Sequence, residues 1–308
     1  MEYQHKPVLF EEALASLAIK PNGIYVDGTY GRGGHSQGIL TRLKEEGKLY
    51  ALDKDTSAIQ HAQSEMGDQR FTITQGSFAD IAKFADEWGI DGKIDGVLLD
   101  LGVSSPQLDE AERGFSFIKD GPLDMRMNPE QGISAADWIN KVSESEIAIV
   151  LKNFGEERFA IRIAKAIVIA RKEKRIDTTL QLAKIIADAN PAWEKGKHPA
   201  TRSFQAIRIY INHELADLEQ FLQNIIELIA PGGRICIISF HSLEDKLVKQ
   251  YFRKAAKGDD YPKYLPITHD QIKPKLEIIG KAVRASAQEY AQNIRSRSAI
   301  MRVAEKIA

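Results

Sequence analysis

The chain has 308 residues, of which 43% are hydrophobic and 28% are charged, and its formal net charge is −1. This composition is that of a globular protein with enough apolar material for a core, and a typical domain size of about 150 residues predicts two domains. The near-zero net charge excludes a polycation, so any binding of nucleic acid must depend on a local basic surface.

The cysteine content and hydropathy indicate the cellular compartment of the protein. Cys236 is the single cysteine, which excludes an intramolecular disulfide and fits a reducing compartment. The first 16 residues lack the apolar core of a secretion signal. No apolar run approaches the ~18 residues that a membrane-spanning helix needs. We therefore expect a cytoplasmic protein without membrane attachment.

The first hundred residues alternate short apolar runs with amphipathic stretches. Helices are predicted over 36–45 and 56–66. Strands are predicted over 24–27, 48–53, 71–75 and 94–100. Strands separated by helices indicate βαβ units and a parallel sheet.

The pattern changes after residue 100. A loop rich in glycine and proline is predicted over 101–129, and helices over 134–189. The remaining predicted elements are one long helix over 203–229, a strand over 234–240, a helix over 243–256, and short strands over 276–279 and 299–303. A helical block thus interrupts an α/β sheet. The expected domains are a discontinuous sheet domain, 1–105 with 206–308, and an inserted helical substrate-recognition domain, 106–205.

A glycine-rich loop follows the first predicted strand. It begins at Asp27, ends at Ser36, and contains Gly28, Gly31, Gly33 and Gly34. Glycines in such a loop let the backbone approach a ligand closely. Asp53 ends the next strand, where a carboxylate can accept the two ribose hydroxyls of an adenosine ligand. Together these features predict a nucleoside cofactor.

Two cofactors use loops of this kind. A nicotinamide fingerprint, G-x-G-x-x-G, would need a glycine where this chain has Ser36, which argues against an oxidoreductase. An acid at the end of the strand, followed by Thr29, Gly31 and Gly33 at alternating positions, fits S-adenosylmethionine instead. This cofactor has no pyrophosphate, and its sulfonium and amino-acid end tolerate a neighbouring acid.

Three more side chains are expected near this loop. Phe78 and Asp80 follow the third strand, where such folds hold the adenine base, although Phe78 is equally well explained as a core aromatic. Asp100 ends the fourth strand at the carboxyl edge of the sheet, where ligands bind in open α/β folds. A carboxylate after an apolar run is costly to bury without a partner, which favours a functional role.

Several motifs are distributed along the whole chain. They are HKPVL at 5–9, DGTYGRGGHS at 27–36, DLGVSSPQLD at 100–109, RGFSF at 113–117, DMRM at 124–127, SFHSLED at 239–245 and RSRSA at 295–299. In combination they resemble the MraW (RsmH) family of 16S rRNA cytosine-N4 methyltransferases. The resemblance implies a class I S-adenosylmethionine-dependent methyltransferase, a Rossmann-like α/β sheet with an inserted all-helical domain. It also implies cofactor contacts by Gly33, Gly34, His35, Asp53, Phe78, Asp100 and Gln107.

The resemblance further implies a target cytidine in the decoding centre of 16S rRNA, in the small ribosomal subunit. The lone pair of the N4 amine is delocalised into the ring, so catalysis reduces to placement and a proton acceptor. Placement alone can supply ~7–11 kcal/mol of the barrier. No catalytic residue and no metal ligand are assigned. The proton acceptor stays open among Asp100, Ser104, Asp109, His241 and a backbone carbonyl, and His241 is equally well explained as a structural residue.

Cys236 bears on which atom of a pyrimidine is methylated. Methylation at carbon 5 normally needs a cysteine nucleophile, whereas an exocyclic amine needs no covalent intermediate. Cys236 lies in the middle of a predicted buried strand, so we expect it to be a small apolar core residue.

The helical block carries a basic stretch. Eight Lys or Arg residues and three Glu lie between Lys152 and Arg175, and Lys195, Lys197 and Arg202 follow. Such a surface suits RNA phosphates, although a solvated helix face is the ordinary alternative. For three aromatic residues, core positions are expected rather than base stacking: Trp138, Phe154 and Trp193.

Two questions remain open at this point. A non-catalytic rRNA-binding factor is the second alternative function, and the intact glycine loop with Asp53 and Asp100 argues against it. The oligomeric state is open between monomer and homodimer.

Overall fold

The structure, a computed structural model, describes residues 7–192, 198–258 and 273–307. It divides into two compact units. The first comprises Met1–Gly102 with Leu215–Ala308, and the second is Val103–Glu214. Predicted positions that lie outside the described residues are His5, Lys6, Trp193, Lys195 and Lys197.

The first unit contains the sheet. Its strands are β1 (Ile24–Asp27), β2 (Lys48–Asp53), β3 (Phe71–Gln75), β4 (Ile94–Asp100), β5 (Ile229–Ser239), β6 (Leu276–Ile278), β7 (Val283–Arg284) and β8 (Ile300–Lys306). They are ordered β3-β2-β1-β4-β5-β8-β6, and β7 pairs with β8. β1 to β5 are parallel, and β8 is antiparallel to β5. The strand order reverses between β1 and β4, and ligands bind outside the carboxyl ends of strands at such a switch point.

The helices follow the same chain order. They are α1 (Phe10–Leu17), α2 (Gly34–Leu40), α3 (Thr56–Glu65), α4 (Ile81–Trp88), α5 (Ser105–Asp109), α6 (Ala135–Lys141), α7 (Glu144–Gly155), α8 (Ala160–Glu173), α9 (Thr179–Ala189), α10 (Thr201–Ile211), α11 (Glu214–Leu228), α12 (Ser242–Lys257) and α13 (Ala287–Gln292). In the part of the chain that the structure describes, none of them is both long enough and apolar enough to cross a membrane.

The two faces of the sheet are buried in separate apolar clusters. On β5, Ile235 and Ile237 pack with side chains of α11 such as Phe221. The alternate residues of the same strand, Cys236 and Ile238, pack with α1 and α2 on the opposite face. This alternation follows from the two-residue period of a strand, and it explains why the central strands are apolar throughout.

The second unit has a helical core of its own. Trp138 of α6 is 1% exposed and packs with apolar side chains of α7 to α10. Serine or threonine side chains cap the starts of α6, α7 and α9 by accepting a backbone N–H three residues on, which fixes where these helices begin.

The long helix predicted over 203–229 is wrong: two helices, α10 and α11, occupy that range. His213 adopts a left-handed backbone with φ of 56°, which a continuous helix cannot contain. The Asn212 side chain donates to Met125 O (2.7 Å) and accepts from Met127 N–H (2.7 Å), so it ties the break to another segment of its unit. The second unit ends at this break, whereas the predicted insertion ends at residue 205.

Two strand predictions also need correction. β5 begins at Ile229, five residues before its predicted start, because Ile229 pairs with Ile94 before an irregularity in the register. β8 extends from Ile300 to Lys306 rather than over 299–303. The short strand β7, which pairs with β8, and the helix α13 were not predicted.

Candidate functional site

The loop between β1 and α2 is bound to the ends of its neighbouring strands. Gly28 N–H donates to Leu98 O (2.9 Å). Tyr30 N–H donates to Leu52 O (3.0 Å). The Thr29 hydroxyl accepts from Asp100 N–H (2.6 Å). The loop is therefore held at the switch point between β1 and β4, beside the carboxyl ends of β2 and β4.

The two glycines at the start of α2 are required for close packing. A Cβ on Gly33, whose φ is +74°, would lie 2.5 Å from the Tyr30 hydroxyl, and one on Gly34 would lie 2.3 Å from Pro7 Cγ. From the sequence, these glycines are expected to let the backbone approach a ligand. In the structure the missing side chains make room for Tyr30 and Pro7.

Asp27 forms hydrogen bonds with both the glycine loop and the first turn of α2. Its side chain is buried, with Oδ1 accepting from Thr29 N–H (3.1 Å) and Oδ2 from the Ser36 hydroxyl (2.6 Å). Burial raises the pKa of Asp27 to about 6, and the bond from Ser36 opposes this rise. The ends of β1 and the first turn of α2 are thus joined through one carboxylate.

Asp53 is positioned by two backbone donors. Gly31 N–H donates to Oδ2 (2.7 Å) and Asp55 N–H donates to Oδ1 (2.9 Å). Burial raises the pKa of Asp53 to about 6, with the two bonds opposing the rise. A carboxylate offers about four acceptor positions, so each oxygen retains one for a further donor. A pair of ribose hydroxyls fits that arrangement.

Asp100 and His35 face each other at the end of β4. His35 Nδ1 lies 3.7 Å from Asp100 Oδ2. Among the described residues, Asp100 Oδ1 and His35 Nε2 are buried without a hydrogen-bond partner. Burial lowers the pKa of His35 to about 4, so the ring is neutral at pH 7. Burial is the main cause that raises the pKa of Asp100, and the negative charges of Asp27 and Glu244 raise it further.

These two unpartnered atoms test whether the cofactor fits. Buried polar atoms without partners are rare in folded proteins and call for an explanation such as a ligand. A cationic sulfonium or ammonium group beside Asp100 would favour its ionised form and offset the cost of burial. The donor set of the site therefore fits S-adenosylmethionine.

Phe78 and Asp80, which were predicted to lie near the adenine, follow the end of β3. Phe78, in a 3-10 turn over Phe78–Asp80, is half-buried and meets Phe221 edge-on with ring centroids 5.9 Å apart. Asp80 is exposed, and its Oδ1 lies 3.3 Å from the Gln220 side-chain nitrogen. Phe78 thus has a core contact and a partly open surface.

One ion pair near this turn was missed from the sequence. Lys54 pairs with Asp217 of α11, and the Ser77 hydroxyl donates to the same carboxylate (2.5 Å). These contacts connect the residue after β2 with the residue before Phe78. No local pattern could reveal them, because Asp217 is 140 residues from Ser77.

His241 is used as a capping residue of α12. Its Nδ1 accepts from Glu244 N–H (3.4 Å), and its Nε2 lies 3.0 Å from Glu244 Oε1. Glu244 Oε2 in turn accepts from Phe240 N–H (2.8 Å). This reciprocal capping box explains why both side chains lie at the helix start, but the Nε2 of His241 has no hydrogen-bond partner among the described residues.

The remaining predicted site residues belong to the second unit. Gln107 is buried, and its Oε1 accepts from Ser104 N–H (2.9 Å) in the capping box of α5. Asp109 is exposed at the end of the same helix.

The strand order and the acids that end β1, β2 and β4 define a class: Rossmann-like methyltransferases, here with an inserted helical unit. Residues 2–307 match the model of the MraW methylase family, and the chain belongs to this family. It is 54% identical over 306 residues to "Ribosomal RNA small subunit methyltransferase H" of Legionella pneumophila strain Paris, and equally to that of strain Corby, with 99% of each chain covered. Membership of a methylase family confirms the predicted cofactor, S-adenosylmethionine.

Proposed function

We propose that the protein methylates the N4 amine of a cytidine in the 16S rRNA of the small ribosomal subunit. The observation that carries this proposal is the 54% identity, over 99% of the chain, to a protein named for methylation of small-subunit rRNA. When bound, S-adenosylmethionine supplies an electrophilic methyl group on its sulfonium. The protein then needs only to place the amine and accept a proton.

The position of Cys236 supports an amine as the acceptor. The thiol is buried in β5, and burial raises its pKa to about 12. A carbon-5 enzyme needs a reactive thiolate beside the base, and a buried thiol of high pKa is inert. Cys236 is the only cysteine of the chain.

The proposed cofactor contacts follow from the site geometry. Asp53 would accept from the ribose hydroxyls, Phe78 would pack against the adenine, and Asp100 with His35 would face the cationic end. The backbones of Gly33 and Gly34 complete the loop. Gln107 joins this set by resemblance to the family.

Asp100 is also the proposed acceptor of the amine hydrogen. Its Oδ1 is buried without a hydrogen-bond partner among the described residues. Ser104 and His241 take part in capping boxes, but the Nε2 of His241 also lacks a hydrogen-bond partner there, so His241 stays the second candidate. Asp100 must be ionised to accept a proton, and the cationic cofactor beside it would favour that form. Water is the final destination of the proton.

The proposed RNA surface lies on α7 and α8, with exposed cations that have no ion pair or side-chain hydrogen bond among the described residues. They are Lys152, Arg158, Arg162, Lys165, Lys172 and Lys174. Three other cations of the predicted stretch are structural. Arg171 donates to Ile139 O (2.5 Å), Arg175 pairs with Asp137 (2.8 Å), and Arg202 donates to Glu156 O (2.9 Å).

The test is methyl transfer from labelled S-adenosylmethionine to small subunits that lack the modification, followed by nucleoside analysis. We expect label in N4-methylcytidine, and none with subunits that are already methylated. Label in 5-methylcytidine would overturn the amine specificity. An absence of transfer to any subunit preparation, by a protein that binds the cofactor, would overturn the proposed function.

A further inference from the structure

A second basic surface lies in the sheet unit, within residues 281–298. This segment contains four Lys or Arg residues and one acid, Glu289, in a chain whose net charge is −1. The Glu289 Oε1 accepts from Leu9 N–H (2.7 Å), so the one acid of the segment is bound to the backbone. The segment therefore presents positive charge.

Two of the three arginines of this segment, Arg284 and Arg297, differ from most other arginines in the unit. Arg70, Arg234 and Arg302 are held by carboxylates at 2.5–2.9 Å. By contrast, the guanidinium groups of Arg284 and Arg297 form no ion pair or hydrogen bond with any residue that the structure describes, and both residues are exposed. Within the described residues neither guanidinium holds the fold together, so both can bind an anion.

Two exposed apolar side chains lie between these arginines in the chain. Tyr290 of α13 is 39% exposed, and Ile294 is 72% exposed. An exposed aromatic ring among unpaired cations is the combination that binds single-stranded nucleic acid, because the ring stacks on a base while the cations contact phosphates.

The segment lies at the same edge of the sheet as the cofactor loop. β8 begins at Ile300, which pairs with Ser239 at the carboxyl end of β5 and with Arg284 of β7. Leu9 N–H donates to Glu289 of this segment, and the adjacent Phe10 stacks on His35 with ring centroids 5.9 Å apart. Residues 9 and 10 therefore link the segment to the start of α2. A strand of RNA on this surface would therefore lie beside the site.

We infer that residues 281–298 form a second RNA-binding surface, which holds the single-stranded rRNA next to the target cytidine. Arg284 and Arg297 contact phosphates and Tyr290 stacks on a base. The inference rests on the proposed function, because it assumes that the substrate is rRNA. The surface on α7 and α8 belongs to the other unit, so each unit would make its own contact with the RNA.

The test compares Arg284→Glu/Arg297→Glu with a control of equal charge change, Arg253→Glu/Lys254→Glu, near the end of α12. That control lies at the opposite edge of the sheet, where Ala255 O accepts from Lys275 N–H. We expect the first variant to bind a single-stranded rRNA oligonucleotide about tenfold or more weakly at low salt, with a shallower salt dependence. The control should bind like wild type, and both variants should keep wild-type affinity for S-adenosylmethionine and wild-type thermal unfolding.

Tyr290 allows an independent measurement of stacking. Tyr290→Ala should weaken oligonucleotide binding by about 5- to 100-fold, whereas Tyr290→Phe should keep most of the affinity because it keeps the ring. Equal affinity of the arginine variant and wild type across a salt series would overturn the inference. A loss seen with intact subunits but not with naked RNA would assign the surface to a ribosomal protein and also overturn it.

These outcomes are distinguishable from failure of the proposed function. If wild type places label in N4-methylcytidine while the Arg284→Glu/Arg297→Glu variant binds RNA normally, only the second surface is refuted. If wild type methylates no subunit, the proposed function fails whatever the binding data show.

Discussion

Asp53 is the residue on which the cofactor proposal depends most directly. Its two oxygens each accept one backbone N–H, which leaves acceptor positions for two ribose hydroxyls. Asp53→Ala should weaken S-adenosylmethionine binding by about 1–3 kcal/mol, the cost of losing a buried hydrogen-bond partner. Isothermal calorimetry measures this. Unchanged affinity in a folded variant would remove Asp53 from the site.

Asp27 should make the stability of the cofactor-free protein depend on pH. Its pKa is about 6 in the folded protein, above the ordinary aspartate value of 3.8, so the folded state holds the proton more tightly than the unfolded state. The stabilisation that results from this tighter proton binding is present below pH 4 and is lost as pH rises through 6. Relative to Asp27→Asn, wild type should therefore lose about 3 kcal/mol between pH 3 and pH 7.

Urea unfolding at a series of pH values tests this prediction. His35 has the opposite sign, because its pKa falls to about 4 and its stabilising effect is lost as pH falls below 6.5. The comparison with Asp27→Asn cancels His35, which is the same in both proteins. A wild-type-minus-variant difference that stays flat from pH 3 to pH 7 contradicts the raised pKa of the buried Asp27.

Cys236 should be dispensable for turnover. The thiol is buried in the middle of β5 and packs on the α1 and α2 face. Cys236→Ala should keep most of the single-turnover methylation rate and lose only ~1 kcal/mol of stability. A variant that folds and binds cofactor but transfers no methyl group would make a carbon-5 mechanism the better explanation.

At the scale of elements, Arg171 connects two helices of the second unit. From the last turn of α8 it donates to Ile139 O (2.5 Å) and Val142 O (2.7 Å) at the end of α6, where backbone carbonyls lack partners within the helix. Arg171→Ala should destabilise the protein by about 1–3 kcal/mol, because charged hydrogen bonds to these carbonyls are lost.

Thermal unfolding of Arg171→Ala beside Lys172→Ala checks this assignment. Lys172 is the adjacent exposed cation without an ion pair, so its removal should leave stability within about 0.5 kcal/mol of wild type. Equal stability of the two variants would mean that the Arg171 bonds contribute nothing measurable.

At the scale of the whole molecule, charge is distributed unevenly despite the net charge of −1. Lys172→Glu/Lys174→Glu should weaken binding to small subunits while sparing S-adenosylmethionine binding. The loss should shrink as salt rises, because phosphate contacts release counterions. Arg171 is left intact in this variant, since its role is structural. If the variant binds subunits normally over a salt series, the cations on α7 and α8 form only an ordinary solvated helix face.

The sequence alone determined the elements whose signals are local. β1 to β4 have the bounds that were predicted, because an apolar run bounded by glycine or polar residues is complete within four to seven residues. The glycine loop and the acids after it were sufficient to predict the cofactor. The combination of motifs predicted the family, which the match over residues 2–307 confirms.

The tertiary structure decided what depends on partners distant in the chain. The helix break at His213 depends on a bond from Asn212 to a segment 87 residues away, and Leu9 meets Glu289 across 280 residues. Arg171 looks in sequence like its exposed neighbours, yet its carbonyl partners make it structural. Periodicity and spacing report which face of an element is apolar, but hydrogen bonds between separate elements form only when the fold brings donor and acceptor within about 3 Å.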